Sequence, residues 1–168
     1  MRISKFISFE GIDGAGKTTQ IKLLKQKLEL NNYKVMVLRE PGGTEITEML
    51  RDIILNKSLN ISRKSEMLLF IAARAELVNK VIVPALEDNF FVICDRYIDS
   101  TIAYQGFGRN INLNIINDLN KFVTSDLLPV CTFFLDIDID TMSSRRKGMQ
   151  NDRMEQSGID FFKNVRKG

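Results

Sequence analysis

A glycine-rich run that ends in lysine and threonine is the part of this sequence with the clearest chemistry. Residues 11–18 read Gly-Ile-Asp-Gly-Ala-Gly-Lys-Thr, which satisfies the pattern Gly-x-x-x-x-Gly-Lys-Ser/Thr. Glycines let backbone N–H groups turn towards phosphate oxygens, and the N-terminus of a following helix adds partial positive charge. Lys17 supplies a charge for the outer phosphates, and the Thr18 hydroxyl suits a magnesium ion. The run therefore predicts a site for the phosphates of a nucleotide.

Charged side chains also follow two other apolar runs. Asp95 and Arg96 come directly after residues 90–94, and Arg39 with Glu40 follows a shorter run. A charge at the end of a buried strand is costly unless it has a partner. A structural ion pair would supply one. Alternatively, Asp95 holds magnesium or its waters and Arg96 clamps a phosphate.

Two further groups of residues could contact a nucleotide. Phe70 and Arg74 are four apart and share a helix face, so a ring and a planar donor could stack on and hydrogen-bond a base, although Phe70 alone would more often be core. A polar, glycine-containing stretch carries three arginines, Arg145, Arg146 and Arg153. Such a stretch is usually a solvated loop, but beside a phosphate site mobile arginines can neutralise transition-state charge.

Apolar patterning predicts the elements that position these side chains. The predicted strands are 5–9, 35–38, 90–94 and 131–135, and the predicted helices cover about 17–30, 46–53, 65–83 and 113–123. Thr44 could cap the second helix, and Pro84 disturbs the end of the third. The last two strands read as buried between helical layers. The alternation predicts an α/β doubly wound parallel β-sheet flanked by helices, with ligands beyond the carboxyl ends of its strands.

Composition excludes several classes of site. The chain has 168 residues, which favours one domain, and 24 basic against 21 acidic residues give a net charge of +3. It has no histidine, which excludes histidine-dependent triads and histidine metal ligands, and its two cysteines cannot form a four-cysteine zinc site. No apolar run approaches the ~18–20 residues of a membrane span, and no signal peptide is expected. We therefore expect a cytoplasmic protein without membrane or nucleic-acid partners.

Three kinds of phosphate-loop protein compete at this point. A GTPase would normally carry Asn-Lys-x-Asp, yet Asn79-Lys80 and Asn56-Lys57 lack the aspartate. An ATPase or nucleic-acid motor would need room for an accessory domain. A small-molecule kinase must also bind an acceptor and close a lid. The other strand ends favour the kinase, with a different nucleoside-monophosphate kinase or a non-catalytic nucleotide-binding switch as alternatives.

Five segments together resemble the bacterial thymidylate kinases. They are residues 9–19, 39–44, 69–75, 95–106 and 152–155. The resemblance implies a P-loop nucleoside-monophosphate-kinase fold, a single domain over 1–168 with a lid at about 143–158, and further C-terminal elements beyond Gly168. It also implies phosphate transfer from ATP to dTMP, giving ADP and dTDP for dTTP synthesis, with Mg²⁺, in a homodimer.

The resemblance also assigns roles to residues. The catalytic set is Lys17, Asp95, Arg96, Arg145, Arg146 and Arg153. The ATP-binding set is Gly11, Ile12, Asp13, Gly14, Ala15, Gly16, Lys17, Thr18 and Thr19, and the metal set is Asp13, Thr18 and Asp95. The dTMP set is Glu10, Arg39, Pro41, Arg51, Phe70, Arg74, Arg96, Thr101, Tyr104 and Gln105. Within it, Phe70 would stack on thymine and Arg74 would hydrogen-bond it. Tyr104 would crowd the ribose 2′ position.

One departure concerns the arginines. Some family members carry an arginine inside the phosphate loop, but here positions 12–15 are Ile, Asp, Gly and Ala. The chain therefore resembles the branch whose catalytic arginine lies in the lid, and Arg153 is the first choice for it. A phosphate monoester acceptor is mostly a dianion at neutral pH, because its second pKa is about 6. No strong base is then needed, which fits the lack of histidine.

Overall fold

The computed structural model describes residues 5–148 and 152–168 and contains one sheet of four strands with helices packed on both faces. The strands are β1 (Phe6–Glu10), β2 (Val35–Arg39), β3 (Phe91–Asp95) and β4 (Cys131–Phe134). Their spatial order is β2-β3-β1-β4, and every neighbouring pair is parallel. The predicted α/β parallel sheet is confirmed.

Eight α-helices are described, most of them connecting or flanking these strands. They are α1 (Lys17–Leu30), α2 (Glu45–Leu55), α3 (Arg63–Leu77), α4 (Val83–Glu87), α5 (Ile98–Thr101), α6 (Leu113–Thr124), α7 (Ile139–Arg145) and α8 (Ile159–Lys167). Two π-helical segments cover Val78–Ile82 and Ile102–Gly108, and a 3₁₀ turn covers Glu155–Ser157. Thr44 caps α2 as predicted: its hydroxyl accepts from the Thr47 N–H, while its own N–H donates to the Thr47 hydroxyl at 2.7 Å.

The sheet is buried because alternate side chains of each strand pack into different helical layers. Phe6 of β1 lies in a cluster with Leu77 and Ile82 from the α3–α4 side. Its neighbour Ile7 packs on the other face with Ile21 of α1. In β3, residues 92–94 have no exposed side-chain surface, as expected for a central strand.

The prediction that 131–135 is a buried strand is wrong. β4 ends at Phe134 and all four of its residues are exposed; Phe134 is 62% exposed. Within the part of the chain that the structure describes, the strand lies at the edge of the sheet, paired with β1. The ring of Phe133 stacks on the ring of Phe9, with centroids 4.9 Å apart, so this apolar side chain of β4 packs against β1. An apolar run alone does not distinguish a central strand from an edge strand.

Two helical predictions also need correction. The single helix expected over 65–83 is α3 followed by the π-helical segment and then α4, which continues through Pro84. Pro84 lies in the first turn of α4, where its missing N–H is tolerated. The second error is an omission, because residues 98–108, α7 and α8 are helical and no helix was predicted there.

The charged stretch predicted as a lid follows α7. Residues 149–151 of that stretch lie outside the described residues. After them, Met154 is buried and packs with Tyr104 and with Phe161 and Phe162 of α8. The end of the stretch is thus held against the body of the protein.

Strand register brings the predicted functional residues to one edge of the sheet. Arg39 at the end of β2 is opposite Asp95 at the end of β3, and Asp95 is opposite Phe9 of β1. The loops that follow these three strands therefore meet, as the rule for parallel sheets requires. None of the helices formed by the described residues has the length and apolar character needed to cross a bilayer.

Candidate active site

The loop between β1 and α1 has a backbone that only glycine can easily supply. Gly11 has a φ of +140°, and a Cβ there would collide with the carbonyl oxygen of Leu135. Gly16 caps α1 with a φ of +96°, and open space lies where its Cβ would be. That space adjoins the N-terminus of a helix, where free N–H groups attract anions. The loop has the shape expected of a phosphate cradle.

Lys17, the first residue of α1, is turned back onto this loop. Its Nζ donates to the carbonyl oxygens of Gly11 at 2.9 Å and Ile12 at 3.3 Å, and it lies 4.0 Å from Oδ1 of Asp95. Burial and the charge of Arg96 lower the pKa of Lys17 to about 8, against the opposing effect of Asp95. The ammonium is therefore mostly charged at neutral pH, and among residues 5–148 and 152–168 its nearest carboxylate is that of Asp95.

Arg96 is the centre of the polar contacts at the end of β3. It has a φ of +73°. Its Nη2 donates to Oδ1 of Asp13 at 2.8 Å and to the Tyr104 hydroxyl at 3.1 Å, while Nη1 donates to the Ser100 hydroxyl at 3.1 Å. Burial opposes its charge, but Tyr104 and Asp13 raise its pKa, so the guanidinium stays charged. A fixed positive charge is thus aimed at the phosphate loop.

Glu10, the last residue of β1, is hydrogen-bonded to the turn that follows β3. Its Oε1 accepts from the Tyr97 N–H at 2.7 Å, and its Oε2 accepts from the Ser100 hydroxyl at 2.6 Å. Burial raises the pKa of Glu10 to about 7, although Ser100 and Arg96 oppose the rise. The substrate contact that the resemblance implies for Glu10 stays a prediction; in the structure its carboxyl is hydrogen-bonded to the turn that follows β3.

Arg74 of α3 is only 2% exposed, and all five of its N–H groups point at protein acceptors. Nε and Nη2 donate to Glu40 at 2.8 and 2.6 Å, and Nη2 also donates to the carbonyl oxygen of Tyr97 at 2.9 Å. Nη1 donates to Thr101 at 2.7 Å and Asn120 at 2.6 Å. The base contact predicted for Arg74 would have to share one of these hydrogen bonds.

Glu40 is a site residue that the predicted set lacks. Burial raises its pKa, and Arg74 opposes the rise. Its Oε2 binds Arg74, whereas Oε1 is buried without a hydrogen-bond partner among residues 5–148 and 152–168. The position of Glu40 directly after β2, beside Arg39, was the feature of the sequence that could have identified it as a site residue.

Two adjoining cavities lie over this edge of the sheet. The first, called here the base cavity, contains nine of the predicted residues, Asp13, Pro41, Arg51, Phe70, Arg74, Arg96, Thr101, Tyr104 and Gln105. It is also lined by five residues that were not predicted, Glu40, Leu55, Ser100, Asp152 and Met154. The second, called the phosphate cavity, is lined by Asp13, Gly14, Gly16, Lys17, Thr18, Arg39, Glu40, Arg51, Asp95 and Arg96. Four residues, Asp13, Glu40, Arg51 and Arg96, belong to both.

Three predicted residues, Arg39, Pro41 and Arg51, lie at the end of β2, directly after it, and in α2. Arg39 is half-exposed, and its Nη2 donates to Oε2 of Glu48 at 2.6 Å. Arg51 donates to the carbonyl oxygen of Pro41 at 2.9 Å, which holds it between the two cavities. Burial and the neighbouring Arg39 lower the pKa of Arg51.

The three arginines of the charged stretch separate into two groups. Arg145 donates to the carbonyl oxygen of Gly14 at 2.7 Å, and Arg146 lies 4.0 Å from Asp13 and pairs with Glu155. These two are at the phosphate loop. Arg153, the first choice from the sequence, is elsewhere: its Nη1 donates to Oε2 of Glu66 at 2.7 Å. Arg153 is thus paired with the buried carboxylate of Glu66 and lines neither cavity, and its catalytic role stays a prediction.

Eight residues of the predicted set line neither cavity. They are the three arginines just described, Arg145, Arg146 and Arg153, and also Glu10, Gly11, Ile12, Ala15 and Thr19. Ile12 and Ala15 are buried, so their side chains support the loop and only their backbone could meet phosphate. Thr19 is exposed on α1.

The donor set suits a magnesium ion that is bound mainly by phosphate and water. Among residues 5–148 and 152–168 no group of three or more acidic, histidine or cysteine side chains could hold a metal alone. Thr18 and Asp95 both line the phosphate cavity and offer a hydroxyl and a carboxylate, with Asp13 beside them. Mg²⁺ is typically held by one or two carboxylates and the substrate's phosphates, so these residues fit it.

The comparisons with known proteins agree with this geometry. The family model described as thymidylate kinase matches residues 9–168. The thymidylate kinase of Kosmotoga olearia is 44% identical over 164 residues, which cover 97% of this chain and 79% of the relative. The thymidylate kinase of Thermosipho africanus is 48% identical over 161 residues, with 96% and 80% covered.

A solved structure shows the same similarity in three dimensions. The crystal structure of thymidylate kinase from Ehrlichia chaffeensis superimposes with a TM-score of 0.74 at 43% sequence identity. The match covers 98% of this chain and 83% of that one. Similarity at this level extends to the whole described sheet and to the loops at its carboxyl edge.

Proposed function

This chain belongs to the thymidylate kinase family and transfers phosphate from ATP to dTMP to give dTDP, and we propose how its two adjoining cavities divide that reaction. The base cavity holds dTMP, and the phosphate cavity holds the phosphates of ATP. The observation that carries this proposal is that both cavities are lined by Arg96 and Asp13, so the acceptor and donor phosphates meet there.

The acceptor nucleotide is held from its base to its phosphate along the base cavity. Phe70 stacks on thymine, and Thr101 and Gln105 hydrogen-bond its edge. Arg74 fixes Thr101 from behind, which the 2.7 Å contact between them supports. Tyr104 stands beside the sugar and disfavours a ribose 2′-hydroxyl.

Charge neutralisation is the main task at the phosphate end. The acceptor phosphate is already mostly a dianion, so the difficulty is to bring two polyanions together. Arg96 and Arg51 hold the acceptor, while Lys17 leaves the loop carbonyls to which it donates and binds the outer phosphates of ATP. Positioned cations of this kind stabilise transition-state charge without rearranging during the reaction.

The arginines Arg145 and Arg146 add positive charge from the lid side. Arg145 already donates to Gly14 in the loop, and Arg146 is near Asp13. Both can therefore reach donor phosphates by side-chain motion alone. We assign them, rather than Arg153, to the transferred group.

Magnesium is the cofactor of the reaction, with ATP as the phosphate donor. Thr18 and Asp95 would hold it or its waters, with Asp13 nearby. When bound, the ion neutralises phosphate charge. Asp95 accordingly acts on the metal or its waters and does not remove a proton.

The exposed face of α2 supports a homodimer. Ile46, Met49 and Ile53 recur at helical spacing and are all exposed, 42% or more. Apolar stripes of this kind are unusual on a monomer's surface and mark contact sites. We propose that this stripe lies in the dimer interface of a cytoplasmic enzyme that has no nucleic-acid partner. Its free cysteines, Cys94 and Cys131, are compatible with a reducing compartment.

Release of ADP with different acceptors tests the proposal. The protein is given ATP and magnesium with dTMP, dUMP, dCMP, AMP or GMP in turn, and turnover is measured with a coupled assay. We expect turnover with dTMP to exceed that with every other acceptor. Binding of ATP without turnover of any monophosphate would refute the assignment of the base cavity.

A further inference from the structure

Glu66 of α3 is a buried carboxylate that the reaction above does not use. It is 1% exposed. Its Oε2 accepts from Nη1 of Arg153 at 2.7 Å, and Arg109 donates to both oxygens, from Nε at 3.0 Å and Nη2 at 3.1 Å. Its Oε1 also accepts from the Gln105 amide at 3.1 Å. One carboxylate thus joins α3, the π-helical segment and the residues before α8.

The residues bound to Glu66 either line the base cavity or contact a residue that lines it. Gln105 lines the cavity directly. Arg109 and Arg153 both donate to the sulfur of Met154, at 3.7 and 3.6 Å, and Met154 lines the same cavity. Glu66 is therefore connected to one side of the base cavity through the amide of Gln105. It is connected to another side through Arg109 and Arg153, which both contact the thioether of Met154.

Arg153 adds a third connection. Its Nε donates to the carbonyl oxygen of Ile54 at 2.7 Å, and its backbone N–H donates to that of Leu55 at 3.1 Å. Leu55 also lines the base cavity. The residues after the charged stretch are consequently bound to the end of α2 and to Glu66 together.

The electrostatics of Glu66 favour a permanent anion. Burial alone would raise its pKa, but hydrogen bonds from Arg109, Gln105 and Arg153 lower the pKa below its ordinary value. Two guanidinium groups converge on this carboxylate. Removing its charge would leave both with a neutral partner in a site of low water access, which loosens such networks strongly.

We propose that Glu66 is a positioning residue for dTMP, which fixes Gln105 and Met154 around the base cavity and anchors Arg153 there, away from the phosphates. The inference rests on the proposed function, because it takes the base cavity to hold dTMP. It assigns Arg153 a role in acceptor affinity, whereas a catalytic arginine would affect turnover.

Steady-state kinetics of Glu66→Gln test this role, since the amide keeps the shape of the side chain and loses its charge. We expect the KM for dTMP to rise roughly tenfold, within the ~5- to 150-fold range typical of coupling between sites. The KM for ATP should not change, and kcat should fall less than the KM for dTMP rises. Glu87→Gln, an exposed position at the end of α4, is the matched control and should change neither constant.

A double-mutant cycle with Gln105→Ala separates positioning from general loosening. If Glu66 acts partly by holding Gln105, the effect of Glu66→Gln on the KM for dTMP becomes smaller in the Gln105→Ala background. A purely structural role would lower the melting temperature and kcat and leave the KM for dTMP as in the wild type. That result would overturn the inference.

Arg153→Gln covers the case in which Glu66→Gln does not fold. It removes one donor to the same carboxylate, and it should raise the KM for dTMP with little change in kcat. A loss confined to kcat would return Arg153 to the phosphates and refute the inference. Kinetics of the wild-type protein distinguish failure of this inference from failure of the proposed function. If the wild-type protein does not turn over dTMP at all, the proposed function itself is refuted.

Discussion

Nη2 of Arg96 lies 2.8 Å from Oδ1 of Asp13 and donates a hydrogen bond to it. This contact joins the turn after β3 to the phosphate loop after β1, and both residues line both cavities. A guanidinium at this point can bind an acceptor phosphate on one side and face the donor phosphates on the other. In the proposed function, the pair is therefore the place where the two halves of the reaction meet.

Replacing Arg96 by lysine should reduce kcat by roughly 10²- to 10³-fold, the usual cost of removing one preorganised electrostatic contact. Lysine keeps the charge, but its single nitrogen replaces two separate guanidinium nitrogens, of which Nη1 donates to Ser100 and Nη2 donates to Asp13 and Tyr104. Steady-state kinetics with dTMP check this, with Arg166→Lys at an exposed ion pair as the control. A variant with wild-type kcat would remove Arg96 from the reaction centre.

Lys17→Ala should lower turnover by at least ~10²-fold, because the phosphate cavity loses its mobile point charge. The fold should persist, since the contacts of Lys17 within the described residues are two hydrogen bonds to loop carbonyls and one ion pair at 4.0 Å. Turnover and thermal melting measured on the same preparation check both expectations. Lys22→Ala, exposed on the same helix, is the matched control. Near-normal turnover of Lys17→Ala would contradict the phosphate-cradle assignment.

Tyr104→Phe should relax the choice between deoxyribose and ribose. The Tyr104 hydroxyl accepts from Arg96 at 3.1 Å and lies 3.5 Å from Oδ2 of Asp13, so it closes the cavity beside the sugar. We expect the ratio of kcat/KM for dUMP over UMP to fall about fivefold, which corresponds to ~1 kcal/mol for one hydrogen bond. An unchanged ratio would show that the hydroxyl has no part in sugar selection.

Glu10→Gln should change how stability depends on pH. The fold raises the pKa of Glu10 from its ordinary 4.5 to about 7, so the folded protein favours the neutral acid. Its contribution is fully present below pH 4.5 and is lost as the pH rises through 7, a change of about 3 kcal/mol at ~1.4 kcal/mol per pKa unit. Urea unfolding of both proteins across this range checks it. The wild type should lose stability relative to the variant as pH rises, and parallel curves would contradict the burial of an ionisable Glu10.

The difference in burial between β3 and β4 predicts how much stability is lost when a side chain of each strand is truncated. Ile93 in β3 has no exposed surface, whereas Phe134 in β4 is 62% exposed. Ile93→Ala should lower the free energy of unfolding by about 2–5 kcal/mol, as truncation of a buried side chain does. Phe134→Ala should cost less than ~1 kcal/mol although it removes more atoms. Denaturant unfolding of the two variants checks this, and equal losses would show that β4 is covered.

The sequence predicted the parts of the fold that depend on local pattern. The glycine run, the cap at Thr44 and the central strand β3 all follow from residue types and spacing, and the structure confirms them. The parts it missed depend on partners distant in the chain. Edge position made β4 exposed, and no apolar period marks the helical turns after Tyr97.

The candidate site shows the same division. The residues of the phosphate loop and the turn at Arg96 were found because short motifs specify them. Glu66 was missed, and Glu40 was noticed after β2 but given no role, because their partners Arg153 and Arg74 are 87 and 34 positions away. For the same reason the sequence could not distinguish Arg145 and Arg146, which lie at the phosphate loop, from Arg153, which pairs with Glu66.

A crystal structure with dTMP, magnesium and a non-hydrolysable ATP analogue tests the central claim most directly. The quantity to measure is the position of the acceptor in the two cavities. The account predicts thymine stacked on Phe70, with the dTMP phosphate against Arg96 and facing the terminal phosphate of the analogue. Thymine elsewhere, or a dTMP phosphate that does not contact Arg96, would contradict it.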